Sequence, residues 1–595
     1  MPTISIATFG GEVPRTTPRL LENTQASVCV NCDLTRGALQ ALRGPGVVQD
    51  CPQGTRTIFK HDVDGWLAWP NVVNVVKSAV LDIDGDTPLG HLFLTGERDY
   101  PTQYLSGGIV RRLGIPRPAT APAVAVSAGA VAHTVVAYAW GADSAAGFPP
   151  RYGYESALPP IQPDTATAGP FGGTGSGATS GTDIGISRSS VYVYTLVQSL
   201  AGGVWQQESA PSPASVVVDV PDGDGVMVSG WVIPQLEGLE VTHIRLYRAV
   251  SGSESAEFQF LVELPASATS YVDTTHDVDM SGDVLSTTTW DVIPDDAHGL
   301  VKTDNGIYAA FRGNELLLSE PFVPYAFPEA YRNTVEDRIV ALAHTDNTII
   351  VLTTGRPYLA TGSEPESLQY THLPIEQACV SARSVAMLPG GVIYASPDGL
   401  MLFTSNEQAL ATAATWTHEQ WQELHPESLM GVVHDGRYVG FFEGTNRGFL
   451  FSLGAKDVVW VELPDGWQVR DVYHHSEDDC VYLAVDTPEG GRIVQCEAGE
   501  PLSYRWRSKP FFTSTLTCMS VVRVEAEYGR GAKVNVNVYG PDTRRARERL
   551  HVRDNRARRL TTTRSEKLWS IEVKGTTTVY EVRMGNSVEG VEHGQ

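Results

Sequence analysis

Cysteine is scarce and odd in number, seven in 595 residues. That excludes a fully paired disulfide framework. Only Cys29 and Cys32 stand in a CxxC. No second pair lies at zinc-site spacing, and Asp33-Leu34-Thr35-Arg36-Gly37 does not open a helix as a thioredoxin-type site requires. Both are expected to be buried free thiols. Long hydrophobic runs are also lacking. None approaches the roughly 18–20 apolar residues of a membrane-spanning helix. Met1-Pro2-Thr3-Ile4-Ser5 has neither the basic start nor the apolar core of a signal peptide. Synthesis and assembly in a cytoplasm are expected. Positive charge is short, with 44 Lys and Arg against 69 Asp and Glu, a net charge of −25. That argues against a groove that grips nucleic acid.

Catalytic signatures are missing as well. No Walker A loop is present. Gly173-Thr174-Gly175-Ser176-Gly177 has the residues of a nucleophile elbow in the wrong phase. Asp82-Ile83-Asp84-Gly85-Asp86 places carboxylates at alternate positions, as calcium favours, but its Gly comes too early and no Glu closes the shell. Asp62-Val63-Asp64-Gly65 and Asp222-Gly223-Asp224-Gly225 share that fault and are expected to be hairpin turns. His474-His475 with Asp478-Asp479 has metal-ligating residue types but lies between two strands, where a solvated hairpin is expected. Neither a metal nor a cofactor is assigned. Ser396-Pro397-Asp398-Gly399-Leu400 approaches a sialidase Asp-box but puts Gly one place early. A glycosidase would also need two carboxylates across a cleft.

What the chain has in quantity is the β-hairpin. Between Gly306 and about Gly499, β-forming runs are separated by tight polar turns. The pairs are Ile307–Phe311 with Leu316–Ser319, Ile339–Ala343 with Thr348–Leu352, and Val392–Ala395 with Leu400–Phe403. Gly431–His434 with Tyr438–Phe442, Phe449–Leu453 with Val458–Val461, and Val469–His474 with Val481–Val485 continue the series. Hairpins at this density predict an all-β fold built round a β-propeller. One helix interrupts them. Thr417-His418-Glu419-Gln420 has capping-box spacing, and Pro426 stops the helix.

The chain divides into five parts. Residues 1–54 form an N-terminal arm or platform segment. Residues 55–113 read as one propeller blade that helps close the ring. Residues 114–291 read as an inserted fibronectin type III-like β-sandwich, with a Gly-rich loop at 169–185. Residues 292–501 hold the remaining blades, and residues 502–595 form a C-terminal β-domain. From Arg530 to Lys574 there are 13 Lys or Arg and 5 Asp or Glu, a balance of +8, which leaves −33 for the rest. Arg544, Arg545, Arg547 and Arg549 lie in this stretch and are candidate interface residues. An Arg-rich strand face is either a solvated face or a docking surface for an acidic neighbour, such as another copy of the chain.

Several ordered phrases carry a resemblance. The first is Phe9-Gly10-Gly11-Glu12-Val13-Pro14-Arg15, then Pro18-Arg19-Leu20-Leu21, Gln25-Ala26-Ser27 and Asn31–Leu39, ending in Arg43-Gly44-Pro45. Others are Gly313–Pro321 with Pro324–Pro328, Thr353–Ser363, Tyr394–Leu400 and Gly436–Val439. Together they resemble the nozzle, or tail tubular B-type, proteins of short-tailed bacteriophages. Leu21-Glu22 departs from the Leu-Pro expected there. The resemblance implies a structural virion protein, not an enzyme: a hexameric tube at the tip of the phage tail. It would bind a head-to-tail adaptor protein, carry tail fibres or spikes, and hold and then pass double-stranded DNA. An acidic lumen would let DNA slide, because each phosphate contact adds affinity. A propeller glycosidase and a receptor- or polysaccharide-binding tail component are the alternatives.

Overall fold

The computed structural model describes residues 3–78, 90–127, 188–200, 205–221, 224–250, 257–404, 407–529, 532–542, 544–561 and 564–592. Regular structure is almost entirely antiparallel strand, arranged in two compact units. One unit comprises Met1–Leu113 with Ile293–Gln595, and the other is Gly114–Val292. Among the described residues, no helix is long and apolar enough to cross a membrane.

The first unit contains a β-propeller of seven sheets. Blade 1 is the hairpin Thr57–His61/Gly65–Trp69. Blade 2 runs from Asn74 to Arg112, blade 3 from His298 to Thr334, and blade 4 from Ile339 to His372. Blade 5 spans Ala386–Leu410 and blade 6 Leu429–Glu462. Blades 2–5 are four-stranded meanders, and the four strands of blade 6 continue, through a parallel pairing of Val458–Glu462 with Ala26–Val30, into a ten-stranded sheet. Blade 7 takes three strands from Gln468–Gln495, and its fourth is Gly46–Cys51 from the N-terminal arm. That pairing covers the edge the last blade would otherwise expose.

Burial on both faces explains the unbroken apolar runs. In blade 4, Ile349 and Val351 pack with Leu316 and Leu318 of blade 3. The alternate residues Ile350 and Leu352 pack with Val392 and Tyr394 of blade 5. A strand that alternates faces, with both faces covered, has no polar positions to spare. The pattern continues with Ile393 and Ala395 against Tyr438 and Phe449, then Val439 and Phe441 against Leu483 and Val485. Ile58 packs on Tyr482 and Ala484, and Phe59 and Trp69 pack on Leu92 and Leu94. Phe93 meets Tyr308 edge-on at 5.6 Å, which completes the cycle between blades 2 and 3. The turns suit their strands: Asp435 and Gly436 have φ of 49° and 68°, the left-handed pair that a two-residue hairpin of right-twisted strands requires.

Residues 55–113 hold two sheets where one blade was expected. The first hairpin has two strands, and the next strand, Asn74–Lys77, pairs with Leu92–Thr95 instead. Ring closure uses Gly46–Cys51, upstream of that segment. The helix forms as His418–Gln422 with both capping-box hydrogen bonds, and Trp421 is fully buried against Trp416, ring centroids 5.2 Å apart.

The rest of the first unit is a β-sandwich of N- and C-terminal strands. Thr3–Ile6 pairs with Val579–Gly585, and Ala26–Val30 pairs with Tyr504–Ser508. Val534-Asn535-Val536-Asn537-Val538 buries its valines and turns its asparagines outward. Trp506 and Trp569 fill the interior. Backbone closely approaches both glycines of the N-terminal phrase. A Cβ on Gly10 would lie 3.0 Å from the Thr24 carbonyl oxygen, and one on Gly11 2.8 Å from that of Val458.

The second unit is a two-layer sandwich. Ala123–Ser127, Gly225–Ser229 and Ser270–Asp273 form one sheet, and the long strand Arg188–Leu200 organises the other. Ser209, Ser212 and Ser215 accept from the amides of Leu196, Tyr194 and Tyr192. The amides of the same three serines donate to the carbonyls of Leu196, Tyr194 and Tyr192, so each serine satisfies both backbone groups of one residue on the strand's edge. Arg248 and Asp273 form a fully buried ion pair at 2.5 Å, and the Tyr192 hydroxyl donates to the same carboxylate. The Gly-rich loop 169–185, the Asp82–Asp86 carboxylates and Asp222-Gly223 lie outside the described residues.

Candidate functional site

Arg544, Arg545, Arg547 and Arg549 are all exposed. They precede and enter Glu548–Val552, the outermost strand of one sheet of the sandwich. Arg558 and Arg559 form the outermost strand of the facing sheet. The arginines thus mark both edges. Two are occupied: Arg558 pairs with Asp554 at 2.6 Å, and Arg547 lies 3.6 Å from Glu566. Arg544, Arg545, Arg549, Arg553 and Arg559 make no side-chain ion pair among the described residues. Charge on an edge strand opposes accidental strand addition, and unpaired guanidinium groups are ready donors for carboxylates. These two edge strands escaped sequence reasoning because neither has an apolar alternation long enough to mark a strand.

The propeller has the opposite balance. Residues 292–501 carry 11 Lys and Arg against 30 Asp and Glu, a balance of −19. Where the first strand turns into the second in blades 1, 3, 4, 6 and 7, Asp62, Asp64, Asp304, Asp346, Asp435, Glu477, Asp478 and Asp479 are exposed. First strands all run the same way, so these turns share one end of the ring. Contacts between blades agree. Lys77 of blade 2 bridges Asp62 of blade 1 at 3.0 Å and Glu477 of blade 7 at 3.2 Å. The Asp304 amide donates to the Asp346 carbonyl at 3.3 Å. Lys60 holds the Asp478 carboxyl below its usual range.

The His474–Asp479 turn is a hairpin, as its spacing implies. The structure adds His434 from blade 6, a residue sequence reasoning did not link to it. His474 Nε2 lies 3.1 Å, and His434 Nδ1 3.3 Å, from Asp479 Oδ1. A cavity of about 270 Å³ opens beside them, lined by His434, Arg437 and Asp479 and floored by Val439 and Val461. Asp62-Val63-Asp64-Gly65 is likewise a hairpin turn, with Asp64 accepting from the Tyr104 hydroxyl at 2.9 Å. Asp398 of the Asp-box-like phrase is engaged by the Gln377 amide and the His418 imidazole, both at 2.7 Å. Those contacts hold its carboxyl below the usual range, Gln377 foremost. Cys29 and Cys32 are buried thiols, and burial pushes the Cys29 thiol well up.

At the opposite end, four blades meet on one guanidinium. Arg383, just before blade 5, donates to the carbonyls of Arg56 and Arg470 at 2.8 and 2.6 Å and to Asp471 at 2.7 Å. Its other nitrogen lies 3.4 Å from Glu443, which itself pairs with Arg56 at 2.8 Å. These residues belong to or adjoin blades 5, 6, 7 and 1. First strands line the axis of a propeller, so this knot ties the ring near its centre.

The N-terminal phrase joins ring to sandwich. Trp506 Nε1 donates to the Gly10 carbonyl at 2.9 Å. Glu12 exchanges backbone hydrogen bonds with Val458 of blade 6. Arg15 donates to the Ala413 carbonyl at 2.9 Å, and Gln420 to that of Pro14 at 2.9 Å. The Glu12 carboxylate accepts from the Cys29 amide, yet burial pushes its pKa up to about 7.

No family model matches the chain, and no curated protein does. Solved structures with some likeness are propeller proteins. The Neurospora crassa Pan2 WD40 domain is 8% identical, with 48% of this chain and 80% of that one covered and a TM-score of 0.25. YCF48 from Cyanidioschyzon merolae is 8% identical, covering 50% and 98%, at 0.25. BamB from Moraxella catarrhalis is 10% identical, covering 58% and 94%, at 0.24. Likeness at this level carries no functional inference, and the ring rests on its own strand pairings.

Proposed function

We propose that the chain is a subunit of a tail nozzle of a short-tailed phage, a structural virion protein that forms a hexameric conduit. The observation that carries this reading is charge segregation within one unit: an acidic ring, and a sandwich whose edges present unpaired arginines. A cyclic assembly joins unlike surfaces of successive subunits, and an arginine edge on an acidic ring meets that need. The phrase Phe9–Arg15 adds support, because it lies on the resemblance and ties ring to sandwich. The Arg383 knot is a reason to put the conduit between chains rather than through a single ring. Carboxylates along such a wall repel the phosphate backbone, so double-stranded DNA slides instead of binding. The adaptor protein, fibres or spikes, and transient DNA contact belong to this proposal, as does a place in the virion after assembly in a host cytoplasm.

Negative-stain microscopy of the purified chain, with and without its adaptor, tests the reading. A six-fold ring with a central channel is expected; a monomer or trimer in both preparations overturns it. Release of sugars from capsular polysaccharide would turn the reading towards a glycosidase.

A further inference from the structure

We propose that His434, His474 and Asp479 form a divalent transition-metal site that clips blade 6 to blade 7, with zinc as the matching chemistry. Two imidazoles and one carboxylate are borderline ligands of the kind Zn²⁺ takes, and three protein ligands leave a position for water. Bonds of about 2.0–2.1 Å in a tetrahedron put neighbouring ligand atoms about 3.3 Å apart. The two distances from Asp479 Oδ1, 3.1 Å to His474 Nε2 and 3.3 Å to His434 Nδ1, match that edge. All three ligand atoms lie within 4.8 Å of one another. His434 Nδ1 is shut off from water, and its contact with Asp479 Oδ1 at 3.3 Å is not a well-formed hydrogen bond. A metal ion would satisfy it.

A second group of ligand types at the same end, Asp62, His475 and Glu477, makes the contrast. There the Lys77 ammonium already sits between the two carboxylates. A protein cation thus fills the role a metal would take. Asp479 has no lysine or arginine partner among the described residues, only the two imidazoles. The nearby Arg437 is directed to Asp435 and Glu497 at 3.6 and 3.9 Å.

The site joins residues 40 positions apart in sequence on neighbouring blades. A bound ion would therefore add a cross-link next to the blade that closes the ring. This inference is independent of the nozzle proposal.

The test uses the full-length chain after chelator treatment. Zn²⁺ is titrated against a chromogenic competitor, and Co²⁺ serves as a spectroscopic probe of tetrahedral geometry. The expected result is one saturable site per chain, a visible Co²⁺ absorption band, and a melting temperature raised by Zn²⁺. His434→Ala, His474→Ala and Asp479→Asn should each weaken binding at least about tenfold, whereas Asp62→Asn should not. Asp479 stands in an exposed turn at φ 49°. Asn tolerates that backbone, so this variant folds and keeps the test decisive. Absence of saturable binding, or binding unchanged in Asp479→Asn, overturns the proposal.

Discussion

Arg383 and Arg545 carry the same guanidinium into opposite surroundings. Arg383 is largely buried and answered by two carbonyls, Asp471 and Glu443. Arg545 is exposed on the approach to an edge strand and has no ion-pair partner among the described residues. The first arginine is used up inside the fold, while the second is left over. Charge alone does not distinguish the two; the presence or absence of an internal partner does.

The largest expected effect lies on the buried side. Arg383→Met would leave Asp471 and Glu443 without their shared cation. Removing one partner of a buried ion pair costs about 3–5 kcal/mol, which denaturant unfolding of the isolated chain measures. A loss under about 1 kcal/mol would break the comparison, because the knot would then behave as a surface pair does.

Glu12 sharpens it from the acidic side. Its carboxyl is raised to about 7 by burial, despite the Cys29 amide and the Arg447 and Arg505 charges. A carboxyl raised above its unfolded value of 4.5 favours the fold fully when protonated in both states. That contribution is lost as pH rises through 7. Stability should therefore fall between about pH 4.5 and 7, by on the order of 3 kcal/mol. Glu12→Gln should flatten that slope, as thermal melts across the pH range would show.

Much of this was legible in the sequence. Runs such as Ile349-Ile350-Val351-Leu352, closed by polar turns, declare strands buried on both faces. Thr417 and Gln420 declare their helix cap. Blade 1 was not separable from blade 2, because their strands follow one another at hairpin spacing and the pattern does not say which of them pair. The pairing of Gly46–Cys51 with Gly490–Gln495 joins segments more than 400 residues apart, and nothing local encodes that choice. The arginine stretch was visible as composition, but its place on two sheet edges was not. His434 escaped notice because its link to Asp479 exists only between blades.

The edge arginines should barely affect the isolated chain. Reversing Arg544, Arg545 and Arg549 to Glu should change its stability by no more than about 0.5 kcal/mol per site, as for surface positions without partners, and reversing Arg547, which lies 3.6 Å from Glu566, by about 1 kcal/mol. Arg558→Ala, which loses only an exposed pair with Asp554, should cost less than about 1 kcal/mol.

The most direct test of the central claim is the mass of the assembly formed by the full-length chain with its adaptor at physiological salt. Sedimentation velocity would compare the unaltered chain with the four-site charge reversal. The account predicts a six-subunit ring for the unaltered chain, and a folded monomer for the reversal. A six-subunit ring from both proteins would contradict it.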